Sequence, residues 1–105
     1  MHAMIRRYRM ADGSMDDLMH KVDTQYADRL QKQLDIIHYQ AIDTGNGTIA
    51  TVTVFEDVEG FRRSDAAAAR VRDGLAEFRV EEIDSFAGEV MVSRASEKAL
   101  RAVHH

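Results

Sequence analysis

The chain has no cysteine, no proline and no tryptophan among its 105 residues, and its single asparagine is Asn46. Without cysteine there are no disulfides, thiolate metal sites, iron–sulfur clusters or cysteine nucleophiles. Without proline, no cis-proline turn can shape a site. No apolar run approaches the roughly 18 residues of a membrane-spanning helix. The N-terminus carries no signal-peptide apolar core, so a cytoplasmic location is expected. A basic surface is missing too: the net charge of −4 argues against a general nucleic-acid binder. What remains is 45% apolar and 30% charged, the balance of an ordinary globular domain. One domain is expected over residues 1–94, followed by a short tail at 95–105 that ends in His104 and His105, to which no function is assigned.

The most informative stretch runs from Leu34 to Asp57. Two β-prone runs, Leu34–Asp43 and Thr48–Asp57, flank Thr-Gly-Asn-Gly, and glycine and asparagine tolerate the positive φ of a tight hairpin. Alternation puts Leu34, Ile36, His38, Gln40 and Ile42 on one face of the first run and Ile37, Tyr39 and Ala41 on the other. A first strand is read over Ala3–Met10, with Met4, Arg6, Tyr8 and Met10 opposite Ala3, Ile5, Arg7 and Arg9. Its three arginines suit salt bridges or, on a sharper reading, an anionic ligand. Ser14 is a good N-cap for a helix over about Met15–Gln33, whose apolar stripe is Met15, Leu18, Met19, Val22, Tyr26 and Leu30. Asp57 can cap a second helix over about Val58–Phe78, with stripe residues Phe61, Ala68, Val71, Leu75 and Phe78. The segment from Arg79 to Ala87 is read as a packed connection, and Gly88–Arg94 as the last strand.

The order β-α-β-β-α-β is that of the α+β ferredoxin-like fold, a four-stranded antiparallel sheet with two helices on one face. The other sheet face would be bare. Both faces of the hairpin are substantially apolar, exposing a set such as Ile37 and Tyr39, or Val52 and Val54 with Ile36. An apolar patch of that size marks an interface, and a homodimer joined through the sheet faces is the economical solution.

The segments Met4-Ile-Arg-Arg-Tyr8, Asp43-Thr-Gly-Asn-Gly-Thr-Ile49, Val52-Thr-Val-Phe-Glu-Asp57 and Gly88-Glu-Val-Met-Val-Ser93 carry a resemblance. Over about residues 3–94 the chain resembles the dimeric α/β-barrel superfamily, in particular small proteins similar to the antibiotic biosynthesis monooxygenase (ABM) domain. The resemblance implies a dimeric α/β barrel and a ligand cleft between sheet and helices in each subunit. Its members include cofactor-independent oxygenases, haem-degrading enzymes, isomerases and proteins with no known activity. The haem-degrading members use an asparagine on the first strand with a tryptophan and a histidine from the second helix. Here Asn46 lies in the hairpin turn, tryptophan is absent and 58–78 holds no histidine, so that route is not expected. The polyketide-oxidising members also lean on asparagine and tryptophan.

For chemistry, His38 is the candidate acid/base residue, since an imidazole titrates near neutrality; the alternative is a histidine satisfied by hydrogen bonds in the core or at the dimer interface. Tyr8, Tyr26 and Tyr39 are candidates to orient a phenolic ligand, against a plain core role with the hydroxyl at the edge. An arginine of the first strand, Arg6 or Arg7, would neutralise an anionic ligand, with Arg7 placed in the site. His20 with Asp16 and Asp23 lacks a third ligand of the right kind, so no metal and no cofactor are expected. The reading is a monooxygenase-like protein acting on a small aromatic or enolisable compound. The alternative is a non-catalytic dimeric module that binds a ligand or a protein.

Overall fold

The computed structural model describes residues 1–27, 36–60, 62–63 and 74–100. Four strands, β1 (His2–Arg9), β2 (Ile36–Gly45), β3 (Thr48–Phe55) and β4 (Glu81–Glu89), form one antiparallel sheet in the order β2-β3-β1-β4. Helix α1 (Met15–Lys21) follows β1 and continues into a π-helical stretch, Val22–Ala27. Helical residues at 58–60 and 62–63 follow β3.

Local chemistry sets the boundaries. The Ser14 hydroxyl accepts a hydrogen bond from the Asp17 amide at 3.1 Å, and Asp16 and Asp17 lie in the first turn. The Gly60 amide donates to Asp57 Oδ1 at 3.1 Å, so Asp57 caps the second helix as its position suggests. Between β2 and β3, Asn46 and Gly47 have φ of 56° and 75°, the two positive values a two-residue hairpin turn requires. Gly13 has φ of 82°, and a Cβ there would stand 2.7 Å from Phe78 Cδ1, so the turn before α1 and the Ala76–Phe78 turn approach closely through a glycine.

The helices cover one sheet face. Leu18 of α1 packs with Ile49, Leu75 and Phe78, flanked by Tyr8, Met10, Met15, Met19 and Val22. Met4, Ile36 and Phe55 form a second cluster on that face, with Tyr39 against it. The stripe expected for α1 is therefore the packed stripe as far as Val22. Leu30, Phe61, Ala68 and Val71 lie outside the described residues, as does the Tyr26 side chain.

Three expectations are corrected. Segment 79–87 is not a packed connection: Glu81–Ala87 belongs to β4, and Ile83 and Phe86 are exposed. Gly88–Arg94 is not a strand beyond Glu89, although the Val90 amide still donates to the Met1 carbonyl at 3.0 Å. The sequence of β4 alternates acids with apolar residues weakly, and the acids pair across to the arginines of β1. A β-propensity reading does not see such long-range pairs.

The third correction concerns β2. Ile36 is opposite Phe55, but His38 is opposite the next residue, Val54, so Ile37 is an extra residue, a β-bulge. The bulge shifts the alternation. Ile36 is buried with Tyr39 on the helix face, while His38, Gln40 and Ile42 share the open face.

Candidate functional site

Three rows cross the helix-covered face: Tyr39–Thr53–Met4–Ala87, Ala41–Thr51–Arg6–Ser85 and Asp43–Ile49–Tyr8–Glu82. Arg6 is only 7% exposed, and Thr53 is buried beside it. The Arg6 Nε stands 3.8 Å from Glu82 Oε1, at the sheet edge. A guanidinium, two tyrosines and two threonines thus stand on the face that the helices roof, within a largely apolar layer. Desolvation chiefly, and the nearby Tyr8 second, push the Tyr39 phenol well above its ordinary value. The Tyr39 hydroxyl is thereby kept as a hydrogen-bond donor through the physiological range.

This shift has a measurable sign. A raised folded-state value contributes stability that is complete below the unfolded tyrosine value near 10 and is lost as pH rises above it. In a spectrophotometric titration, native Tyr39→Phe should match the parent at pH 11, whereas the unfolded variant should show about a third less phenolate absorbance than the unfolded parent, two tyrosines against three. A native curve that already drops by that third at pH 11 would show a solvated Tyr39.

The open face has its own rows: His38–Val54–Ala3–Gly88, Gln40–Val52–Ile5–Phe86 and Ile42–Ala50–Arg7–Asp84. Ile5, Ile42 and Phe86 are 41%, 42% and 59% exposed, high for large apolar side chains in a sheet centre. Arg7 grips Asp84 with two parallel bonds: Nε donates to Oδ1 at 2.7 Å, and Nη2 donates to Oδ2. That pairing holds the Asp84 carboxyl below its ordinary value.

The sheet therefore divides the residues selected from the sequence. Tyr8 and Tyr39 stand on the helix side, His38 and Arg7 on the open side, and the Tyr26 side chain lies outside the described residues. Arg7 is engaged by Asp84, and Arg6 is the arginine that shares a face with the tyrosines. The β1 alternation alone carries that signal, because Arg6 falls between Met4 and Tyr8 on one side of the strand. Glu82 and Thr53 were not singled out; Glu82 sits on the helix face because a register shift sets Ile83 aside as an extra residue in β4. Among the described residues no three histidine, aspartate or glutamate side chains converge as metal ligands. No described helix is long and apolar enough to cross a membrane.

No family model and no curated protein matches the chain. Solved structures do. A dimeric ferredoxin-like protein from an uncultured marine organism superimposes with a TM-score of 0.69 at 13% identity, covering 91% of this chain and 100% of its own. This is a ferredoxin-like fold. HapK from Hahella chejuensis follows with a TM-score of 0.67 at 14% identity, covering 91% and 98% of the two chains. Atu4242 from Agrobacterium tumefaciens, a nipsnap family protein with unknown function, gives 0.56 at 16% identity over 90% of each chain. At such identities the likeness concerns the fold alone, and it spans nearly the whole ferredoxin-like chain.

Proposed function

We propose that this protein is a homodimer joined through the open sheet face, an ABM-like dimeric α/β barrel that binds a small aromatic or enolisable compound between sheet and helices without a metal cofactor. The observation that carries the dimer is the uncovered apolar centre of the sheet, Ile5, Val52 and Phe86 in one row. Water-facing antiparallel sheets carry polar residues there. The first solved structure described above is of a dimeric protein, which supports the same assembly.

The ligand reading rests on the helix side. Arg6 would balance an enolate or carboxylate, and the Tyr8 and Tyr39 hydroxyls would orient it by donating hydrogen bonds. His38 and Arg7, across the sheet, then belong to the dimer interface. The folded unit would span 1–94 with 95–105 as its tail. One observation favours the second reading, a non-catalytic binding module: His38, the candidate acid/base residue, is separated from the tyrosines by the sheet itself.

Native mass spectrometry of the purified protein tests the proposal. The expected spectrum is a dimer with a discrete small-molecule adduct that Arg6→Gln removes while the dimer survives. A bare dimer that retains no phenol or 1,3-diketone added in excess would leave only the module. A monomer would remove the barrel.

A further inference from the structure

The most exposed large apolar side chains of the described chain are Met91 at 81% and Val92 at 83%. They lie in an arm, residues 90–96, that leaves the end of β4 without regular structure. Yet Val90-Met-Val-Ser93 has the β-branched, apolar composition of a strand. A β-prone apolar segment held in water is an unsatisfied strand.

The sheet has two outer edges to offer. The β4 edge is guarded: four of its nine residues, Glu81, Glu82, Asp84 and Glu89, are acidic. The β2 edge has ten residues and Asp43 as its only carboxylate, and Ile37 and Ile42 stand exposed on it. It is the apolar, unguarded edge. A chain in β conformation advances about 3.3 Å per residue, and packed sheets lie about 10 Å apart. The arm is thus long enough to cross to a second sheet packed on the open face, which begins at Phe86 and Gly88, just before the arm.

We infer that residues 91–94 add as a strand to the outer edge of the partner subunit's β2, so that the dimer is closed by reciprocal strand addition. This rests on the proposed dimer and names what completes it. Main-chain hydrogen bonds supply the affinity, and Met91 and Val92 meet the apolar β2 edge.

Hydrogen exchange on the full chain tests it, at a concentration where native mass spectrometry finds dimer and again in the monomeric Ile5→Asp variant. In the dimer, the amides of 91–94 and the outward-facing amides of 36–45 should exchange at least about tenfold more slowly than in the monomer. Val92→Pro, which removes one strand amide, should erase both protections and weaken dimerisation about tenfold. A dimer whose 91–94 amides exchange freely overturns the arm and leaves the sheet-face dimer standing. Protection of the 91–94 amides that persists in the monomer overturns it in favour of an arm folded on its own chain. A parent chain that is monomeric at every concentration overturns the arm and the dimer together.

Discussion

Replacing Ile5 by aspartate is expected to convert the dimer into a monomer. Ile5 sits on β1 opposite Val52 of β3 and Phe86 of β4, the middle of the open face. In the free subunit it is 41% exposed, so a carboxylate there keeps its water and should cost the monomer fold about 1 kcal/mol or less. In a face-to-face dimer the same group loses that water, and the two-fold repeats it. An unpaired buried charge costs several kcal/mol in proteins after relaxation. Two copies would raise the dissociation constant by about a thousandfold or more, at 1.4 kcal/mol per decade. Sedimentation velocity reads the outcome directly. A variant that still sediments as the parent dimer would mean that the open face is not the interface, and a disordered one would be seen at once in its circular dichroism.

Phe55→Ala should be the most damaging single truncation of the subunit. Phe55 is 0% exposed and packs with Met4 and Ile36 where β3 meets both neighbours. Removing a buried phenylalanine ring costs about 3–5 kcal/mol, the lost transfer energy plus the cavity. A small domain has only about 5–15 kcal/mol in total. At about 4–8 °C per kcal/mol for a chain of this size, the melting temperature should fall by about 15 °C or more. Phe86→Ala is the informative contrast. That ring is 59% exposed, so its loss should leave the melting of the monomeric Ile5→Asp background within a few degrees, yet weaken association in the parent background. Thermal melts of the two alanine variants in the monomeric background separate these effects. Equal losses would mean that Phe86 packs within its own subunit.

Much of the architecture was legible in local patterns. Ser14, Asp57 and the Asn46-Gly47 turn mark element ends through bonds and dihedral angles that depend only on near neighbours. The two faces of β1 followed from strict alternation, since no register shift interrupts its pairing with β3. The misses are all long-range. Segment 81–87 became a strand because Arg6 and Arg7 have Glu82 and Asp84 to meet, and an edge strand need not be apolar. The composition of the candidate site was legible as residue types, and its assembly was not. Arg7 and His38 were grouped with Tyr8 and Tyr39, whereas the register sets them on opposite sides of the sheet.

The bulge at Ile37 bears on how this chain is compared with others. It acts as a phase shifter: every side chain from His38 to Asp43 is displaced by one position relative to an unbroken strand. A relative that lacks the extra residue would have to be aligned with a one-residue gap there. Without that gap, a ligand-facing position in the relative would be matched to an interface position here, and the reverse. An engineered deletion of Ile37 would remove the bulge yet leave His38 opposite Val54 on the same face, so the extra residue can be excised without moving the imidazole from one compartment of the molecule to the other.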